Sequence, residues 1–227
     1  MLAHGMMPGD MKPLIAATVL ILATSVQATP QQSSATGANC VALGAPKATL
    51  SFTYRYTDTQ GSTEYTNQWK QFSATGSQLL TTRANGRSTY VSKHSVANDL
   101  FVLESSVASG TDPGGAFNNS MTYTPGAIGD PAYRACEGQT WAIPAVKATS
   151  VSAQGSFSTT TDPGTLIIVK VHESVTVPAG TFDTVRYRKA MGKVIDEFWK
   201  SIEHGVTVKR NSAQPGAVAT EILIAIK

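Results

Sequence analysis

Val177-Pro178-Ala179-Gly180-Thr181-Phe182 reads as a corner between two strands, and the chain on either side of it continues in the same style. Upstream, over 166–177, Ile167, Val169, Val171, Glu173, Val175 and Val177 occupy odd positions, while Lys170, His172, Ser174 and Thr176 occupy even ones. That is the two-residue period of a half-buried strand, not the period of a helix. Pro178 presets φ and has no amide to donate, Gly180 admits conformations closed to other residues, and Phe182 restarts an apolar run. The chain turns back there. The pattern repeats through 181–188, 194–201 and 205–210, with Met191-Gly192-Lys193 and Glu203-His204-Gly205 as turns. After Pro215-Gly216 a last strand is expected to place Val218, Ile222, Ile224 and Ile226 on one face. Five antiparallel strands are predicted, with Val, Ile, Phe and Trp on a dry face and Arg, Lys, Thr and Ser largely on a wet one.

Residues 177–185, Glu197-Phe198-Trp199, Gly205-Val206-Thr207-Val208-Lys209 and, upstream, Gly138-Gln139-Thr140-Trp141 resemble an exported bacterial family of unknown function. That family carries a Pro-Ala-Gly-Thr-Phe corner, an aromatic pair and a Gly-Val-x-Val-Lys strand. The resemblance implies a mainly β fold, a single curved antiparallel sheet or incomplete barrel, similar to the periplasmic lipoprotein carriers LolA and LolB. It brings no catalytic residues with it.

At the other end, Lys12 precedes an apolar run over 13–23, and Val26-Gln27-Ala28 supplies small residues before a cut. Residues 1–28 therefore read as a secretory signal peptide, cleaved near Ala28. The run is short for a membrane span, so no transmembrane anchor is expected. Cys40 lies too far beyond it for lipid attachment, and a soluble periplasmic or secreted product is expected. Residues 29–45, rich in Gln, Ser, Thr, Ala and Gly, read as a flexible leader, and 46–227 as a single β domain. Cys40 and Cys136 are the only cysteines. In an oxidising compartment such a pair forms a disulfide; two separate buried thiols are the alternative. The net charge of +3, from 18 Lys and Arg against 15 Asp and Glu, is scattered, without a basic run interleaved with aromatics. Nucleic acid is not an expected partner.

Between leader and meander, Leu50, Phe52, Tyr54 and Tyr56 alternate with polar residues, Asp58-Thr59-Gln60-Gly61 turns the chain, and Thr63, Tyr65, Asn67, Trp69 and Gln71 share a face of the returning strand. This is a hairpin signal. Turns at Ala74-Thr75-Gly76 and Ala84-Asn85-Gly86 punctuate strands over 78–82 and 88–96, followed by one over 99–105. Residues 106–116 and 124–133, rich in Gly and Pro, read as long loops around a strand at 117–123. Little helix is expected after the signal peptide.

Glu173 is a carboxylate at an odd, apolar position between Val171 and Val175. It needs a cation or hydrogen-bond donors. Arg186 or Arg188, one strand on, would make it a structural ion pair; otherwise it reads a ligand or acts as an acid. His94, His172 and His204 lack the spacing of a metal site, and neither a nucleophile motif nor a phosphate loop is present. No cofactor, metal or catalytic residue is assigned. Tyr54, Trp69, Phe182 and Trp199, with Glu173, are candidate ligand contacts, if these aromatics line a cavity rather than simply filling the core. The expected function is a non-catalytic periplasmic binding protein for an apolar ligand, such as a lipid or acylated envelope component, with 106–116 as a movable rim. The alternatives are an envelope assembly protein that binds a partner protein through a sheet edge, and a hydrolase of envelope polymers using Glu173.

Overall fold

The computed structural model describes residues 32–33, 39–72, 76–83, 88–112 and 115–227. The signal peptide, much of the leader, and the turns expected at 74–75 and 84–86 lie outside the described residues. Everything described is strand or connection, without helix. The strands are β1 (Gln32–Ser33), β2 (Cys40–Ala42), β3 (Ser51–Asp58), β4 (Gly61–Phe72), β5 (Gly76–Arg83), β6 (Ser88–Ala97), β7 (Leu100–Asp112), β8 (Gly115–Pro131) and β9 (Arg134–Cys136). They continue with β10 (Thr140–Ile143), β11 (Lys147–Ser152), β12 (Gly155–Thr160), β13 (Gly164–Val177), β14 (Gly180–Met191), β15 (Val194–Ser201), β16 (Thr207–Gln214) and β17 (Ala217–Ile226).

Fifteen of these make one curved antiparallel sheet in the order β1-β10-β13-β14-β15-β16-β17-β3-β4-β5-β6-β7-β8-β11-β12. Its ends do not pair, so it is an open sheet and not a barrel. The five-strand meander is β13 to β17, each paired with the next. At its first corner Gly180 has φ of 137°, which a side chain would strain. Gly205 has φ of 61°, and a Cβ there would collide with the Gly44 carbonyl. Neither position tolerates a larger residue without movement.

The alternation expected along β13 does not run through it. Leu166 and Ile168 are buried and Ile167 is exposed, whereas further along it is the odd positions Val171 and Val177 that are buried. The pairing shows why: it steps from Ile168↔Tyr187 to Lys170↔Arg186 and then to Glu173↔Thr184, so β13 carries two extra residues. Each bulge moves the following side chains to the opposite face, so the two cancel: Ile167 and Glu173 share one face, as their partners Arg188 and Thr184 do, and only the stretch between the bulges is displaced, which puts Val171 on the side of Ile168. His172, with φ of 58°, sits in the second bulge. In β17 the expected apolar face is likewise replaced: Leu223 is fully buried, with Glu221 on the same face, while Val218 is exposed and the isoleucines are half-buried.

A second correction concerns 106–116 and 124–133, which are not loops. β7 and β8 form one long hairpin that reaches Asp112↔Gly115 at its tip. The Pro and Gly residues are absorbed by an irregularity in which the register jumps from Leu103↔Ala127 to Ser105↔Thr122. The segment 106–116 is therefore laddered strand, not a movable rim.

Curvature brings the base of this hairpin onto the face of β14 and β15, here called the inner face. Two apolar clusters result. One gathers Trp141, Leu166, Ile168, Val185 and Tyr187 with Leu100 and Ile128; the other gathers Phe52, Tyr54, Trp69, Phe101, Val208 and Leu223. The corner reaches β17, where the Ala179 amide donates to the Leu223 carbonyl at 3.4 Å. β2 and β9 form a separate two-stranded ladder in which Cys40 and Cys136 are directly opposite and disulfide-bonded. That bond is consistent with an extracellular or periplasmic location.

Away from the clusters, residues 88–93, 105–112, 115–125 and 147–160 form a wing. Of its described residues only Ser88, Ala148 and Ser150 are buried, and all are small. Its strands are joined by cross-strand hydroxyl pairs such as Thr89 with Ser109 and Thr149 with Ser158. Val91, Val107 and Val151 lie exposed along one cross-strand row.

Candidate functional site

The inner face of the meander carries charges in the places where an alternating strand puts its buried side chains. On β14 Lys189 follows Tyr187 by two residues, on β15 Asp196 and Lys200 flank Phe198, and on β16 Arg210 follows Val208. All face the base of β8, and a buried ammonium must find acceptors. The Lys189 Nζ donates to the Ile128 carbonyl and the Lys200 Nζ to the Pro131 carbonyl, each at 2.7 Å. Lys200 is almost wholly buried, lies 5.0 Å from the Phe101 ring centroid, and has Asp130 Oδ2 at 4.0 Å. Two lysines thus pin β8 across the sheet, with Asp130 held between their attachment points.

Beside this latch lies a pocket of about 190 Å³. Tyr54, Trp69, Leu79 and Phe198 form its aromatic and apolar wall, and Asp130 and Glu221 are its carboxylates. Phe198 stacks on Tyr187 at 4.7 Å, and Tyr54 stacks on Tyr65 at 5.3 Å. Arg210 also lines the pocket, partly engaged, with its Nε buried and without a hydrogen-bond partner. Its Nη2 donates to Asp196 Oδ1 at 3.1 Å, and its guanidinium lies 5.3 Å from the Phe198 ring centroid.

Burial and charge act oppositely on the two carboxylates. Burial raises Asp130, but Lys200, the Tyr187 hydroxyl and Lys189 outweigh it and hold the group below the usual aspartate range. Glu221 is raised by burial, which the Tyr65 hydroxyl and Arg210 fail to offset, and Asp130 and Asp196 add to the rise. Burial also lowers Lys189, Lys200 and His94. The Tyr187 hydroxyl, fully buried, is directed toward Asp130 and Thr207 but makes no well-aligned hydrogen bond to either.

The five residues singled out from the sequence fall into three places. Tyr54 and Trp69 line the inner pocket. Glu173 and Trp199 meet each other instead: the indole Nε1 donates to Glu173 Oε1 at 3.0 Å, and Arg186 Nε stands 3.2 Å from Oε2 without hydrogen-bond alignment. Lys209 Nζ lies 4.8 Å from the centroid of the Trp199 ring. Glu173 is therefore one member of an internal ion-pair cluster. Arg188 pairs with Glu197. Phe182 lines a shallower pocket of about 410 Å³ at the corner, packed edge-on to His204.

Asp130, Glu221, Arg210 and the two lysines are not singled out from the sequence. For Lys189, Lys200, Arg210 and Glu221 the signal is a charge two residues from a buried aromatic or aliphatic position, repeated on successive strands of the meander; Asp130 lies on β8, in a stretch that reads as loop. Among the described residues, no group of three or more His, Cys, Asp or Glu is placed to hold a metal ion. Comparison with protein-family models and with curated proteins found no match to this chain.

Proposed function

We propose that the chain is an exported, non-catalytic binding protein whose ligand enters the pocket beneath β8. The carrying observation is the pocket itself: an apolar wall of Trp69, Leu79 and Phe198 facing polar groups held in place by the lysine latch. Such a mixture of greasy wall and few fixed polar groups suits orientation of a small molecule. At about 190 Å³ the space lies below the roughly 300–1,000 Å³ of drug-sized sites. It therefore takes a compact ligand or the end of a longer apolar one. The Cys40–Cys136 bond, with the signal-like start of the sequence, supports a periplasmic or secreted setting.

Native mass spectrometry of the protein purified without detergent from its own compartment tests the reading. A bound mass released on activation supports it, and a bare chain that stays bare in compartment extract counts against it.

A second reading rests on β12. This outermost strand, Gly155–Thr160, is exposed throughout, bears no charge, and has Phe157 projecting into solvent. Edges so unprotected readily accept another strand, which suits an assembly role in the envelope. Crosslinking from a photoreactive residue at Ser158 tests it: a defined heteromeric adduct is expected if β12 is the docking edge.

A further inference from the structure

Resting on the reading of β12 as an edge that accepts another strand, we infer that the strand it takes is β12 of a second copy of this chain, which joins two wings into one continuous sheet. The edge carries none of the devices that keep strands apart. Gly155–Thr160 runs opposite β11 residue for residue, without a bulge, and holds neither proline nor charge. At the other end of the sheet the last strand, β1, spans two residues, and so short an edge offers little to pair with.

Register points to the occupant. Two antiparallel copies of one strand are related by a two-fold axis normal to the sheet, and residues directly opposite each other share a face. With the axis beside Phe157, each Phe157 meets its twin, Ser156 meets Ser158 and Gly155 meets Thr159. The side chains match at each step: two aromatics, which stabilise a sheet when opposed, two hydroxyls, and a glycine that leaves room for a β-branched residue. The rows of the wing then run on through the junction. On one face Met121, Ser150 and Phe157 stand opposite one another in turn, and the twin row continues them. On the other face the hydroxyl pair of Thr149 and Ser158, at 2.9 Å, gains Ser156 of the second copy. Phe157, 64% exposed in the single chain, is covered.

Charge does not oppose this pairing. Residues 148–161 carry no charged side chain, so neither hairpin repels its twin, and neither holds a charge with which to select a partner of opposite sign. A two-fold contact also closes on itself: it occupies one edge per copy and stops at two chains, whereas a β12-to-β1 contact would propagate. A single pair of six-residue edges falls in the small, transient class of interfaces, under roughly 1,200 Å². The dimer therefore forms as concentration rises.

Sedimentation velocity of the exported chain, in a dilution series from micromolar to near-millimolar, is expected to show a monomer–dimer equilibrium. Phe157→Asp sets two carboxylates against each other at the axis and should lower the association constant by at least about tenfold. Because that side chain already lies in solvent, the variant's melting curve at the dilute end should be unchanged. Phe157→Cys should give a disulfide-linked dimer on mild oxidation, and Val107→Cys, at a position 42% exposed but inside the sheet, should not. A photoreactive residue at Ser158 should yield an adduct of twice the chain mass, in place of the heteromeric adduct expected of a different partner protein. A monomer at every concentration, or a dimer that Phe157→Asp leaves intact, overturns the inference. A Ser158 adduct to a different protein would then keep β12 as a docking edge, and the absence of any adduct would remove both.

Discussion

The base of the sheet and its wing are made by the same ladder, yet they are held together differently. At the base, β7 and β8 lie across β13 to β17, and large side chains such as Trp141, Tyr187, Phe52 and Lys200 are removed from water. In the wing a single layer meets solvent on both faces, and the buried residues are Ser and Ala. Lys200 and Lys93 make the contrast within one residue type. Lys200 is enclosed and bonded to the Pro131 carbonyl; Lys93 pairs with Glu104 at 3.3 Å with both side chains largely in water. Backbone pairing alone sustains a sheet locally, but apolar burial and enclosed charges decide where stability accumulates and where a pocket forms.

The largest break in this comparison is expected from Lys200→Ala. It leaves the Pro131 carbonyl and Asp130 without their buried cation, and a loss of about 3–5 kcal/mol in urea unfolding is expected. A loss under about 1 kcal/mol would show that the latch does not hold the two layers together. Replacing Cys40 and Cys136 together by Ser should cost about 2–4 kcal/mol, read from the same denaturation midpoint. A smaller effect, visible as a slope, should come from Glu221→Gln. The folded pKa of Glu221 lies above its unfolded value, so its contribution is complete below the ordinary glutamate range and is lost as pH rises through the folded value. The variant should therefore gain stability relative to the natural chain as pH is raised from 4.5, and a flat difference would refute the assignment. Asp130 has the opposite sign: its contribution is present above the ordinary aspartate range and disappears as pH falls through its depressed folded value. Least affected should be Lys93→Ala, within about 0.5 kcal/mol for so exposed a pair. A larger cost would mean that the wing is covered in solution.

The meander was legible because its punctuation is strong. Pro178 and Gly180, Gly192 and Gly205 mark real turns, and β13 to β17 appear in the expected order. The β3–β4 hairpin was legible for the same reason. Face assignments were less accessible. The two bulges in β13 leave no compositional trace, yet between them they turn Val171 to the side of Ile168 and away from Ile167 and Glu173. Over 106–116 and 124–133 Gly and Pro signal loop, but cross-strand pairing overrides that local preference, and the loop signal conceals Asp130. Tyr54 and Trp69 were chosen as aromatics and do line the pocket, but its charged members required knowing which strands curve over which. Glu173 stood out as a lone carboxylate in an apolar run, and Arg186 and Trp199 account for it internally.

The Cys40–Cys136 bond lies where the chain enters and leaves the excursion from β3 to β8, with partners separated by 96 positions. Tension applied at the two ends of the protein would cross that covalent shortcut and bypass everything within it. A contour of about 330 Å, at roughly 3.4 Å per residue, is thereby hidden from any machine that pulls on the chain. Most of the wing lacks a core to resist force, and while the bond is intact, that part carries no load.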